Sequence, residues 1–212
     1  ISGEENRFSL PRDQRSGIVY VGNLGIHRID PLIELGCALR KAKIPGFETI
    51  CVYSGEQKPE TLQRINEENG LSFCGYLAGE EVEKLLGRSK FLIIIEAFGK
   101  EAVCRTRYSL STKVAESLRS GACILAYGPQ DVASISYLQH YQAACILSSA
   151  GELPGAVKRL CAEPDAYTNY VRTAMQLADR FHNAEKIEKM MNDILQKAIE
   201  RVPKTDMEVN KE

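Results

Sequence analysis

The sequence predicts an α/β domain: a parallel β-sheet with helices on both faces, followed by a run of C-terminal helices. Three observations predict it. Strand-length runs such as Ile18-Val19-Tyr20-Val21, Phe91-Leu92-Ile93-Ile94-Ile95 and Cys123-Ile124-Leu125-Ala126 are apolar throughout. Strands covered on both faces read this way, whereas half-buried strands alternate. These runs take turns with segments of helical period, the pattern of a parallel sheet. Beyond Ala150 only helical pattern remains.

The elements follow in order. Residues 17–21 form a strand, turned by Gly22-Asn23-Leu24-Gly25. A helix is expected over 28–43, with Leu32, Leu35, Leu39 and Ala42 on one face, ended by Pro45 and Gly46. Strands are expected at 47–53 and 71–77, separated by a polar helical excursion at 58–69 that Gly70 closes. A short acidic helix at 79–86 precedes a fourth strand at 91–95. Residues 97–110 read as irregular. A helix beginning near Lys113 stops at Gly121, and the strand 123–127 stops at Gly128-Pro129. Asp131 opens a helix to about Gln142, and 144–148 is the last strand. Three helices complete the chain: 152–161, a second capped by Asp165 and running to Phe181, and a third over 184–199.

Composition narrows the partners. The 212 residues carry 27 Lys and Arg against 28 Asp and Glu, a net charge of −1. A nucleic-acid track wants a basic face, so nucleic acid is not expected as a partner. No apolar run approaches the ~18 residues of a membrane span, and the opening residues lack a signal-peptide pattern. Ile1-Ser2-Gly3-Glu4-Glu5-Asn6 reads as an interdomain stretch. The expected organisation is a linker remnant over 1–16, one domain over 17–201, and a frayed polar tail over 202–212, all within a longer protein. The seven cysteines are odd in number and form no C-x-x-C pair, which predicts buried thiols in a reducing cytoplasm. No zinc spacing is present, and His27, His140 and His182 are scattered, so no metal is expected.

Parallel sheets bind ligands at the carboxyl ends of their strands. The loops after Val21, Gly75, Ile95 and Tyr127 are therefore the candidates. In the first, Gly22 and the glycine at 25 let backbone approach a ligand, Asn23 lies between them, and Arg28 stands at the positive end of the next helix, placed for a diphosphate. The plain alternative is an ordinary turn with an exposed arginine. The absence of G-x-G-x-x-G disfavours a dinucleotide. In the second, Ser111 or Thr112 caps a helix whose free N–H groups suit an anion. Lys113 and Glu116 share its face, and Glu116 is placed to accept hydrogen bonds from sugar hydroxyls. The alternative is a surface pair between Glu116 and Lys113 or Arg119. Arg105 and Arg107 stand before that helix, as a phosphate clamp or as solvated loop charge. Gly75, Tyr76 and Leu77 offer backbone to a flat base, or simply end a strand. Glu96 and Glu101 lie near these loops with no role set by spacing. No nucleophile elbow, P-loop lysine or paired carboxylates occur, so no catalytic residue is assigned.

Together these stretches resemble the C-terminal, donor-binding domain of the retaining GT-B glycosyltransferases, family four in particular. The likeness runs in order from Gly17 to about Leu195. Ile18 to Leu24 is similar to the opening strand and glycine loop. Leu71 to Leu77, with Glu80-Glu81-Val82 and Leu85-Leu86, is similar to the family's F-x-G-x-hydrophobic strand and acidic helix. Ser111 to Leu118 with Gly121 resembles its signature helix, and Phe181 its C-terminal aromatic. The resemblance implies a Rossmann-like half of a GT-B fold that binds a nucleoside-diphosphate sugar without a cofactor or metal. Glu116 would hold the ribose. Gly22, Asn23, Arg28 and the start of the Ser111–Lys113 helix would meet the diphosphate, and residues 75–77 would line the base. The acceptor-binding N-terminal domain is expected outside this sequence, and the longer protein is allowed a peripheral membrane association. One departure stands out: the family often carries a glutamate eight positions before the ribose-binding one, and Tyr108 occupies that place here. Two other readings remain: a degenerate, non-catalytic binding module, and half of a nonhydrolysing sugar-nucleotide epimerase.

Overall fold

A computed structural model describes residues 10–201. Six strands form one sheet in the order β3-β2-β1-β4-β5-β6, with every neighbouring pair parallel. They are β1 Ser16–Val21, β2 Ile50–Tyr53, β3 Leu71–Gly75, β4 Ser89–Ile95, β5 Cys123–Tyr127 and β6 Cys145–Leu147. The helices are α1 Ile29–Ala42, α2 Pro59–Arg64, α3 Glu80–Arg88, α4 Lys100–Thr106, α5 Thr112–Arg119, α6 Ala133–His140, α7 Leu153–Ala162, α8 Pro164–Phe181 and α9 Ala184–Arg201. The expected Rossmann-like α/β fold, with a parallel sheet, helices on both faces and C-terminal helices, is present.

Alternation along each strand divides the core. Ile18, Tyr20, Ile50, Val52, Phe91, Ile93 and Leu125 face α1 and α7, meeting Leu32, Leu35, Leu39, Val157 and Leu160. Val19 and Leu92 face the other way, onto Val82 and Leu86 of α3. Ile94, Ile124 and Ala126 share that second face with Val114 and Leu118 of α5 and with Ile135 and Leu138 of α6. Burial on both faces is why these strands are apolar throughout. The long helix α8 touches both layers: Tyr167 packs with the first, and Ala174, Leu177 and Ala178 with the second. The Tyr167 hydroxyl donates to the Lys90 carbonyl at 3.0 Å.

Several boundaries differ from expectation. Residues 100–106 are helical rather than irregular. Only Ala102 and Thr106 of α4 are buried, so no apolar stripe announced the helix. The helix expected from Asp131 begins at Ala133, because a turn from Pro129 to Val132 intervenes. Pro164 rather than Asp165 starts α8; proline suits a first turn, and Asp165 lies within that turn, where a carboxylate favours the helix dipole. The strand β3 ends at Gly75, whose φ of +88° turns Tyr76 and Leu77 out of the ladder. Cys74 and Cys104 are exposed, against the expectation of buried thiols.

Of the expected linker over 1–16, residues 1–9 lie outside the described residues, as does the expected frayed tail. Residues 10–15 pack onto the base of the sheet. The buried Arg15 guanidinium donates to the carbonyls of Leu10, Ser89 and Ser120, at 2.6, 3.1 and 3.1 Å.

One close approach fixes how α1 lies beside the edge of the sheet. A Cβ on Gly36 would stand 2.2 Å from the Asn69 carbonyl oxygen, and one on Gly70 (φ +66°) 2.1 Å from that of Gly36. Glycine weakens a helix interior by about 1 kcal/mol relative to alanine, yet here backbone occupies the side-chain space. Gly36→Ala is therefore expected to destabilise the fold by about 1–3 kcal/mol in urea unfolding. Gly155→Ala in α7, with nothing within 4 Å, is expected to be neutral or to stabilise by up to about 1 kcal/mol.

Candidate functional site

The strand order reverses between β1 and β4. In doubly wound sheets the crevice outside such a point, at the strands' carboxyl ends, receives ligands. The loop after β1 is closely braced. The Gly22 amide donates to the Tyr53 carbonyl at 3.0 Å, and the Tyr20 hydroxyl donates to the Asn23 carbonyl at 2.7 Å. The Asn23 side chain accepts from the Gly25 amide, an Asx turn. Ile26 and His27 then take φ of 56° and 59°. For a β-branched residue such as Ile26 that conformation is costly.

Arg28 follows at the start of α1, and its Nη2 meets Glu96 Oε2 at 2.9 Å. Glu96, the first residue beyond β4, is 2% exposed and Arg28 18%. The ion pair thus spans the reversal point. A Cβ on Gly128, just past β5, would lie 2.9 Å from Glu96 Cβ, so the loops after three strands converge here. Burial pushes the neighbouring Tyr20 phenol far above its ordinary range; Arg28 opposes that shift and Glu96 adds to it.

The start of α5 faces the same end of the sheet. Ser111 is its cap, accepting from the Lys113 amide at 3.3 Å. Lys113 Nζ and Glu116 Oε2 are 2.9 Å apart on one face of the helix, with side chains about one third exposed. Val114 and Leu118 on the opposite side anchor α5 to the sheet.

Two cavities flank this pair. The smaller, about 240 Å³, is lined by Gly22, Asn23, Tyr76, Leu77 and Lys113 together with Tyr53 and residues 54–57. It gathers five of the residues singled out from sequence. Gly75 lies just outside it as the turn behind Tyr76. Ser111 and Thr112 stand at the helix start but not in its wall. Arg28 turns to Glu96. Arg105 is exposed on α4, and Arg107 lies 3.6 Å from Asp131 and over the Tyr108 ring. Tyr108 is 89% exposed. The segment after β2 was absent from the candidate loops. There Gln57 Nε2 donates to Ser54 Oγ and the Gly55 carbonyl, at 3.0 and 3.1 Å. Its signal was Ser54-Gly55 directly after an apolar run, the same punctuation that marked Gly22.

The larger cavity, about 580 Å³, lies between α5 and α9. Glu116 and Arg119 form one wall, and Ile187, Met191 and Leu195 the other. His182 closes one end; its Nε2 is hydrogen-bonded to the Tyr137 hydroxyl at 2.8 Å, and its carbonyl accepts from Arg119. Burial, then Arg119, lowers the His182 pKa. Met190, Ile194 and Ile199 extend the exposed apolar side of α9. Among the described residues no group of three or more His, Cys, Asp or Glu is placed to hold a metal ion, and no helix is long and apolar enough to cross a membrane.

No protein-family model matches the chain, and no curated protein sequence matches it. Solved structures do. Sucrose-phosphate synthase from Thermosynechococcus elongatus superposes with a TM-score of 0.64 at 16% identity, over 93% of this chain and 51% of that one. HepE from Anabaena, in complex with UDP and glucose, gives 0.64 at 13% identity, over 87% and 49%. The C-terminal domain of the group 1 glycosyltransferase LpcC from Francisella tularensis gives 0.59 at 13% identity, over 87% of this chain and 99% of that domain. All are GT-B glycosyltransferases. The chain spans about half the length of the first two. It has the Rossmann-like fold of one GT-B half, and the LpcC domain that it matches over 99% of that domain's length is a C-terminal half.

Two predictions follow from the geometry. Arg28→Ala leaves the buried Glu96 carboxylate unpaired and is expected to destabilise the fold by about 3 kcal/mol in urea unfolding; a change below about 0.5 kcal/mol, the usual range for surface substitutions, would show that the pair is dispensable. The lowered His182 pKa means that, below 6.5, the unfolded chain binds more protons at this site than the folded one. The contribution is fully present above that value and is lost as pH falls through the folded pKa. His182→Gln should therefore lose less stability than the parent between about pH 7 and pH 5, measured by paired denaturation curves.

Proposed function

We propose that this chain is the donor-binding domain of a glycosyltransferase. It holds a nucleoside-diphosphate sugar whose glycosyl group passes, with retention, to a polysaccharide or glycoconjugate acceptor. The observation that carries this reading is the smaller cavity, where the β1 loop, the β3 exit and Lys113 meet at the carboxyl end of a parallel sheet. Tyr53 and Tyr76 supply flat apolar faces for a base. Lys113 and the backbone of Gly22 and Asn23 supply charge and N–H groups for a diphosphate. Glu116, one turn further along α5, is the ribose acceptor in this reading, with Lys113 holding its carboxylate until hydroxyls arrive. Arg28 would add a second cation behind the loop, and Ser111 and Thr112 the free amides of the helix start. Bond cleavage places negative charge on the leaving diphosphate, which these donors offset in a fixed arrangement. No metal enters this account.

The relatives of known structure support the donor class. HepE was solved with UDP and glucose, and with UDP-glucose, and a further neighbour, from E. coli, was solved bound with UDP-2-fluoro glucose. The acceptor domain belongs to a longer protein in this reading, with peripheral membrane association allowed. A cytoplasmic location fits the seven free cysteines. A second reading, a binding module without turnover, is favoured by Tyr108. The side chain at that position is directed to solvent under Arg107, so no contact to a transferred sugar is assigned to it.

Calorimetric titration with UDP, GDP, ADP and dTDP tests the proposal. One diphosphate is expected to bind, and Glu116→Ala and Lys113→Ala are each expected to weaken it about tenfold, or about 1.4 kcal/mol. No affinity for any of the four would overturn it.

A further inference from the structure

Two cysteines on adjacent strands lie beside the smaller cavity. The β2–β3 ladder pairs Cys51 with Ser72 and Val52 with Phe73, then shifts so that Tyr53 pairs with Gly75. Cys74 is the residue left without a partner, the extra residue of a bulge. Ile50, Val52 and Leu71 point into the core beneath α1, so alternation sends Cys51, Tyr53 and Cys74 to the opposite face. Cys51 and Tyr53 pack there against the cluster of Val19, Val82, Leu86 and Leu92. The bulge places Cys74 between the levels of Val52 and Tyr53, diagonal to Cys51. Their side chains interact with one another, and the Cys74 thiol also reaches Tyr53.

The two thiols differ in access. Cys74 is exposed and sits on the edge strand, next to the +88° turn at Gly75. Cys51 is half-buried; burial, and then Cys74, push its thiol up to about 11. This arrangement divides the labour of thiol–disulfide exchange between an accessible thiol that attacks and a sheltered one that resolves. Disulfides bridge Cα separations of about 4.4–6.8 Å, and diagonal neighbours on a regular ladder lie about 7–8 Å apart. The bulge shortens this diagonal, and closing the bridge requires the edge strand to draw in toward β2.

We propose that Cys51 and Cys74 form a reversible dithiol–disulfide site whose reactant is a low-molecular-weight disulfide. The Cys74 thiolate attacks one sulfur of the external disulfide, forming a mixed disulfide and expelling one thiol. The Cys51 sulfur then attacks Cys74 Sγ, expelling the second thiol and closing the Cys51–Cys74 bond. The protein loses two protons and two electrons, and the external disulfide gains them as it is reduced to two thiols. Tyr53 and Tyr76, each two residues from one of these cysteines, line the smaller cavity, so the cross-link joins the two strands that carry part of its wall.

The test is titration of the native chain with oxidised glutathione, followed by thiol counting and non-reducing peptide mapping. The expected result is loss of three thiols, two to a linked Cys51–Cys74 peptide pair and one to a glutathione adduct on Cys104, and recovery of all three with dithiothreitol. Cys104, exposed on α4, serves as an internal control that takes glutathione without closing a ring. In Cys51→Ser the reaction should stop at a glutathione adduct on Cys74. The proposal is overturned if the parent chain also stops at that adduct, if a different cysteine pair closes first, or if Cys74 does not react.

Discussion

The ion pair between Arg28 and Glu96 is the constraint around which the ligand-binding end of this domain is arranged. It lies where the sheet's two halves meet and joins residues 68 positions apart in sequence. Taking both charges out of water is costly, so the pair is not a large source of net stability. Its effect is geometric. It ties the first turn of α1 to the end of β4, and the loop from Gly22 to His27 must close over that tie. The positive φ values at Ile26 and His27 are the local conformational cost of that closure. Gly128 completes the arrangement, since only a residue without a Cβ lets the loop after β5 lie against Glu96.

Much of the architecture was legible because burial leaves a periodic trace. The stripe Leu32, Leu35, Leu39 marked α1, the continuous runs marked the central strands, and the Ser111-Thr112 pair marked the start of α5. What escaped had little or no local trace. The helix α4 buries only Ala102 and Thr106 and reads as polar. The segment after β2 carried the Ser54-Gly55 punctuation, but its place in the cavity wall follows from the position of its strand in the sheet. Arg28 was read as facing a ligand because Glu96, a distant residue, could not be assigned to it. The bulge at Cys74 is likewise a property of two strands together. For the candidate site, sequence supplied residue types at strand and helix ends, and tertiary pairing decided which of them share a cavity.

Lys113 and Glu116 occupy a position between two chemically different spaces. On one side is a polar hollow with two tyrosines; on the other is a largely apolar trough between α5 and α9. A helix one turn deep separates them, so a change of side-chain rotamer at either residue alters both. The pair is only partly buried. It is therefore more easily rearranged than the buried Arg28–Glu96 pair.

The path of α8 has a consequence for how the domain comes apart. Its first half is packed with the layer that holds α1 and α7, and its second half with the layer that holds α5 and α6. A sheet with independent coverings could shed one covering and keep the other. Here a single rigid rod, continuous from Pro164 to Phe181, is shared by both, so neither layer can open without disturbing packing on the far side. The two faces of this sheet are thereby coupled into one cooperative unit, in which partial opening that exposes a single face is suppressed.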